Sequence, residues 1–409
     1  RHTRLRTVTG VQTCALPIFR LADHPHNLFV QVHTDAGHVG LGDTWRLTET
    51  IEAYVHSVAA PSLLGQDPGA IERHWKTLYQ TAATGALTGA EIRGLSAIDM
   101  ALWDIAGQAT GLPVYRLLGG PTYDRVRVYN TCAGYRYGDA KPRGVDATYT
   151  DGRTTGPYED LDAWKTDAGT LAKDLLAQGI SSMKIWPFDQ FGPETGGQWI
   201  DARMIDEGLR PFRQIRDAVG NAMDIALEMH SVWNLPAAIR IARAVEPFDP
   251  LWFEDPIRMD NLDALATFRE STRIPVTASE TLASKQAFRE LFAKRAVSIA
   301  MFDVGWVGGL TEAKKIAAMA EAYSLPVAPH DCTGPVNFAA SVHLDFAVTN
   351  VYVQEIVRAY LHGWYGEVVS GLPRVEGGYV YPPEGAGLGV RLLDSVRHRG
   401  DATIRMSEA

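Results

Sequence analysis

Cysteine is scarce in this sequence: there are three in 409 residues, at Cys14, Cys132 and Cys332. Cysteines so few and so far apart exclude a disulfide framework and point to a reducing, cytoplasmic setting. No apolar run is long enough to cross a bilayer. Positive charge is in deficit, with 39 Lys and Arg against 48 Asp and Glu and a formal net charge of −9. That balance argues against nucleic acid or an anionic membrane surface as the main partner. Low-complexity tracts are missing as well. What is there in quantity is apolar: 46% of the residues, enough for a sizeable core, in a chain whose length suits one barrel plus a smaller unit.

The opening RHTRLRTVTGVQTCALPI has no clear helical or strand period and no signal-peptide order of charged, apolar and small regions. Its VQTCALPI run resembles translated sequencing-adapter read-through. Residues 1–18 are therefore expected to be extraneous or a disordered tail. From Leu28, LFVQVHTDAGHVGLGDTW reads as two strands around a DAGH turn, and three stretches of helical spacing follow. The last of these, AEIRGLSAIDMALWDIAGQATGLPVYRLLGG, is stopped by Gly111 and Pro113. Strands followed by helices, before any alternation, predict an α+β unit over 19–125.

Strand–helix alternation then begins. VRVYNTCAG (126–134) and SSMKIWP (181–187) read as its first two strands. Six more apolar runs each end on a polar or charged residue: Glu228, Glu254, Glu280, Asp303, His330 and Glu355, at steps of 26, 26, 23, 27 and 25 residues. Each step is about one strand, one helix and two loops. Eight strands with about seven crossovers predict a TIM-like α/β barrel over 126–356, in which residues at the strand C-termini point into one mouth. Residues 135–160, rich in Gly, Asp, Thr and Pro, read as a long functional loop over that mouth. Beyond Glu355 the alternation stops, and 357–409 reads as strands and turns packing back on the first unit.

Three carboxylates in one mouth, Glu228, Glu254 and Glu280, cannot stay uncompensated. A divalent cation resolves the conflict, and oxygen-only ligands with open positions suit Mg²⁺. Asp303 beside His330 makes a general base, because a carboxylate fixes the imidazole tautomer and raises its basicity. Glu355 closes the ring, either as a protonated hydrogen-bond donor to a developing oxyanion or as a rim residue. Lys184 could neutralise a substrate carboxylate, take part in proton transfer, or simply be solvated. His230, two residues after Glu228 and on the same side of an extended chain, could donate a proton to a leaving group or be a structural neighbour of the metal site.

SAIDMALWDIAGQATGLPVYRLLGG (96–120), EMHSVWNLPAAIRIARAVEPFDPLWFEDP (228–256) and GAGLG (385–389) together resemble signatures of the mandelate racemase/muconate-lactonizing branch of the enolase superfamily. The resemblance implies a modified barrel, (β/α)7β, with a capping domain built from the N-terminal region and the C-terminal tail. It implies Mg²⁺ on Glu228, Glu254 and Glu280, with His330 as base, Asp303 orienting it, and Glu355 in the electrophile position. The shared chemistry is removal of the proton α to a carboxylate. One departure matters most. Racemases and lactonizing enzymes of the family carry Lys-x-Lys on the second strand, and here the second position is Trp186. A histidine two residues after the first ligand, as at His230, instead resembles the family's sugar-acid dehydratases.

The sequence thus leads to an Mg²⁺-dependent hydro-lyase acting on an aldonic or aldaric acid. His330, Asp303, His230, Lys184 and Glu355 would carry the chemistry, and Lys184, Trp186 and Glu355 would face the substrate. A racemase or epimerase of a hydroxy acid is the alternative, and a non-catalytic acid-binding homologue the other. The resemblance also implies a small-molecule acid-sugar partner and a homo-oligomer. It places specificity in a capping-domain loop near residues 12–27, with Arg20, His24 and His26 as candidates.

Overall fold

In the computed structural model, residues 10–83, 89–137 and 156–409 are described. The N-terminal unit is a four-stranded antiparallel sheet with helices on one face. Its strands are β1 (Thr13–Leu21), β2 (His24–Thr34), β3 (Val39–Trp45) and the C-terminal strand Ala402–Glu408, which pairs with β1. Residues 1–9 lie outside the described residues, but from Thr13 the chain is no tail. β1 sits between two partners, and Leu16, Ile18 and Phe19 are wholly buried. It showed no alternation because it is covered on both faces. Leu16 and Ile18 join the core under the helices, while Phe19 and Leu21 join the barrel-side core.

The helix Ala90–Thr110 packs on β3 at backbone distance. A Cβ on Gly42 would lie 1.9 Å from the carbonyl oxygen of Ala97, and one on Gly40 2.0 Å from that of Ala101. Only glycine permits that approach. Gly111, at φ +71°, terminates the helix.

The second unit is the barrel. Parallel strands β4 (Val126–Thr131), β5 (Ser182–Ile185), β6 (Asp224–Glu228), β7 (Phe253–Glu254), β8 (Val276–Ala278) and β9 (Ile299–Ala300) pair in order, and β10 (Gln354–Ile356) pairs back on β4. Between β9 and β10 the segment 326–330 completes the wall through single bridges, from Val327 to Ala300 and Val351 and from His330 to Asp303. The crossovers are helical, from Asp160–Ala177 to Pro335–Asp345, as the (β/α)7β pattern requires. Tyr129, Trp252, Met301 and Val353 fill the interior, so the barrel is a packed core rather than a pore.

The C-terminal segment divides its contacts. Its last strand joins the capping sheet, and Leu388 N–H donates to Asp104 on the capping helix. However, the hairpin Val375–Glu376/Tyr379–Val380 pairs with the start of β4, so this part of 357–409 closes the barrel's lower rim instead of covering the cap.

The two units are fastened at the mouth. Asp43, buried on β3, accepts hydrogen bonds from Val336 N (2.9 Å) and Asn337 N (2.8 Å) at the start of the helix Pro335–Asp345. The capping unit thereby holds the helix that follows His330.

Candidate active site

β6 and β7 pair with Glu228 opposite Glu254, so the two carboxylates emerge side by side at the top of the barrel. Glu280 follows β8. Ligand oxygens of the three lie within 4.8 Å of one another, with Glu228 and Glu254 buried. The first two are also anchored by their own donors. Glu228 Oε1 accepts from the backbone N–H of Met229 (2.9 Å) and His230 (2.6 Å), and Trp252 Nε1 donates to Glu254 Oε2 (2.9 Å). Burial and the adjacent Glu228 push the Glu254 carboxyl well above the usual range. That charge crowding is what a cation relieves, and three hard oxygen donors fit Mg²⁺.

Lys184, buried at the end of β5, reaches into the same cluster. Its Nζ is 2.6 Å from Glu254, 2.9 Å from Glu355 and 3.6 Å from Glu228. Burial opposes its charge, but Glu254 and Glu355 outweigh burial and hold its pKa well above the ordinary lysine value. It is therefore an internal counter-ion and not a solvated side chain. Glu355 accepts from Lys184, from Thr131 Oγ1 and from Asp331 N–H (2.8 Å). Both its oxygens are engaged, one by Lys184 and Thr131 and the other by Asp331 N–H.

His330 lies under Trp306 with Nδ1 2.8 Å from Asp303 Oδ2. Asp303 is itself fixed by Thr333 Oγ1 (2.7 Å) and Gly305 N–H (2.8 Å). The predicted pair is thus assembled, with Nε2 free of Asp303. That nitrogen is 2.6 Å from Glu280 Oε2, so Glu280 can serve either His330 or a cation. Burial works against a charged His330, but Glu280 and Glu355 outweigh it and raise its pKa well above the ordinary value.

His230 also reaches the site. Burial lowers its basicity, but Glu228 and Asp189 dominate and push its pKa up to about 9. Trp186 is buried edge-on to His230, with centroids 5.6 Å apart, and packs against Tyr137 and Trp164. It walls the pocket where family racemases would hold a second base.

His230, Glu280, Arg46 and Tyr137 line both an inner pocket of about 40 Å³ over Lys184 and His330 and an outer cleft of about 680 Å³ that opens past Asn234 and Arg258.

The capping unit's contribution differs from the one expected. Arg20 is tied to Glu49 (3.0 Å) and Glu52 (2.6 Å), and His24 is buried against Trp364. Neither of these nor His26, which meets the Trp45 ring edge-on, appears among the residues lining the two pockets. The residues that reach the mouth are Trp45, stacked on Trp306, and Arg46, 4.2 Å over the Trp45 ring. Sequence reasoning also missed Asp189 and Asp255. The second is buried beside Glu254 and accepts from Ser279 Oγ at 2.7 Å. Asp255 adjoins a predicted ligand in the quoted FEDP run, and that adjacency was its only signal. Of the long loop expected over 135–160, residues 138–155 lie outside the described residues.

Comparison with known proteins decides the family. Residues 19–119 match the mandelate racemase/muconate lactonizing enzyme N-terminal domain, and residues 167–396 match the enolase C-terminal domain-like family. The chain belongs to the mandelate racemase/muconate-lactonizing family. Among its relatives is a D-galactonate dehydratase from Ralstonia nicotianae, 32% identical over 401 residues, covering 95% of this chain and 93% of the relative. Another D-galactonate dehydratase, from Xanthomonas euvesicatoria, is 34% identical over 336 residues, covering 81% and 78%. Among solved structures, an enolase of the mandelate racemase subgroup from Agrobacterium tumefaciens is 42% identical with a TM-score of 0.86, covering 97% of this chain and 99% of that one. An enolase protein from Sargasso Sea environmental sequencing is 38% identical with a TM-score of 0.87, covering 98% and 100%. The likeness to this family spans both units, so the capped barrel is the family fold.

Proposed function

We propose that this protein is an Mg²⁺-dependent dehydratase of an aldonic or aldaric acid. It would remove the α-proton and the 3-hydroxyl to leave a 2-keto-3-deoxy acid. The observation that carries the reading is the pair of histidines, His330 and His230, lining one inner pocket beside the three-carboxylate cluster, with Trp186 where a racemase would hold its second base. Relatives named for dehydration over most of the chain support it.

Glu228, Glu254 and Glu280 would hold the metal. Bound there, Mg²⁺ supplies the positive charge against which a substrate carboxylate accepts a second negative charge. His330, steadied by Asp303, takes the proton from C2. Lys184 positions the acid head, and Glu355 takes the electrophile position against the developing oxyanion. His230 gives a proton to the departing hydroxyl, because hydroxide leaves poorly. Arg46 and the outer cleft receive the rest of the carbon chain. The proposed setting is cytoplasmic and homo-oligomeric, with a small-molecule acid as partner; the formal charge of −9 supports the absence of a nucleic-acid or anionic-membrane role.

A panel of hexonates, pentonates and aldarates tests this, assayed by semicarbazide for 2-keto acid and by chiral chromatography for epimers, with EDTA and with Mg²⁺. A keto acid formed only with Mg²⁺ is expected. Clean C2 epimerisation without keto acid would replace the dehydratase reading with a racemase.

A further inference from the structure

Asp189 lies three residues beyond Trp186, in the turn Asp189–Phe191 after β5, and no motif marks it. Its side chain is completely buried, and its Oδ2 is 2.5 Å from Nδ1 of His230. His230 is gripped at two further points. Its backbone N–H donates to Glu228 Oε1 at 2.6 Å, in a left-handed conformation at φ +42°, and Trp186 meets the ring edge-on. With Nδ1 taken, Nε2 is the nitrogen left for a ligand in the inner pocket, which His230 lines.

The same device stands a few side chains away. His330 Nδ1 meets the fully buried Asp303, and its Nε2 points to the carboxylate cluster, 2.6 Å from Glu280 Oε2. Two Asp–His pairs, each with its aspartate fully buried, therefore share one pocket. A carboxylate out of water needs a partner, and His230 Nδ1 at 2.5 Å supplies one. A carboxylate on one imidazole nitrogen sets ring orientation and decides which nitrogen presents its proton.

We propose that Asp189 is the positioning residue of a second Asp–His pair, holding His230 by Nδ1 so that Nε2–H faces the departing 3-hydroxyl. The inference rests on the dehydratase reading. His330 removes the C2 proton, the C–H electron pair becomes the C2–C3 double bond, and the C3–O pair leaves with oxygen. His230 gives that oxygen the proton that completes water. The enol then loses its hydroxyl proton and gains one at C3, so the overall change is substrate to keto acid plus water.

The test measures two rates in D₂O, α-proton exchange and keto-acid formation, in wild type, Asp189→Asn, His230→Asn and the double variant. Asp189→Asn is expected to slow elimination on the order of 10²-fold while exchange stays near the wild-type rate. It should add little in the His230→Asn background. With the 3-deoxy-3-fluoro analogue of the accepted acid, whose leaving group needs little protonation, both single defects should shrink. Equal slowing of both steps, or additive losses in the double variant, would make Asp189 structural and overturn the proposal. A wild type that makes keto acid while Asp189→Asn matches it overturns the proposal alone. A wild type that makes no keto acid from any acid sugar removes the dehydratase reading and this proposal with it. Should Asp189→Asn not fold, ¹⁵N-histidine spectra of wild type decide: Nδ1 of His230 must carry a hydrogen-bonded proton, and a bare Nδ1 overturns the pairing.

Discussion

Lys184 already stands where the carboxylate cluster needs positive charge, 2.6 Å from Glu254 and 2.9 Å from Glu355. Removing one partner of a buried ion pair costs about 3–5 kcal/mol, because the other charge is left unpaired. Lys184→Met should therefore melt well below wild type in EDTA and recover most of the loss in Mg²⁺, as read by thermal unfolding in both conditions. Equal melting of the two proteins in EDTA would show that the lysine is not the counter-ion. At this scale the sequence was legible where a residue ends an apolar run at a regular step, as Glu228, Glu254, Asp303 and His330 do. It was silent on Asp189 and Arg46. The first lies in a turn off the strand end and the second comes from the other unit, and neither position has a period to betray it. Burial of a charge is a three-dimensional property that spacing does not carry.

Among the elements, β1 carries the clearest correction. An edge strand of a half-exposed sheet alternates, whereas β1 is flanked by β2 and the C-terminal strand and covered on both faces, so its sequence reads as an unpatterned apolar run. Leu16 is fully buried among the capping helices. Leu16→Ala should cost about 2–5 kcal/mol in denaturant unfolding, the usual loss for a truncated core leucine. A change within error would mean that β1 contributes nothing to the fold. The segment 326–330 shows the opposite case. Its single bridges make a poor ladder, yet it was found from sequence because PVAPH fell in step with its neighbours and ended on His330. The hairpin at 375–380 was misplaced because a two-residue strand says nothing about which edge it will join.

For the whole molecule, the joints between units are polar and buried, and their titratable groups tie stability to pH. His343 Nδ1 accepts from Tyr115 N–H (3.1 Å) in the capping unit, and its Nε2 faces Leu388 O (3.2 Å) in the C-terminal segment. Burial pushes its pKa down to about 4. The unfolded chain thus takes up this proton at higher pH than the folded one. Its contribution is complete above the ordinary value near 6.5 and is lost as pH falls toward 4. Asp43 and Asp99, raised to about 7 by burial, act in the opposite sense, so the informative quantity is a difference between proteins. Between pH 6.5 and 5, wild type should lose roughly 1.5 kcal/mol more unfolding free energy than His343→Asn; equal losses would show that the histidine is not buried neutral. The proposed dehydration also belongs to this scale. The most direct check is a proton NMR record of the accepted acid sugar turning over with Mg²⁺ in D₂O. The account predicts a 2-keto-3-deoxy acid carrying one solvent deuterium at C3. Recovered acid with deuterium at an inverted C2, and no keto acid, would contradict it.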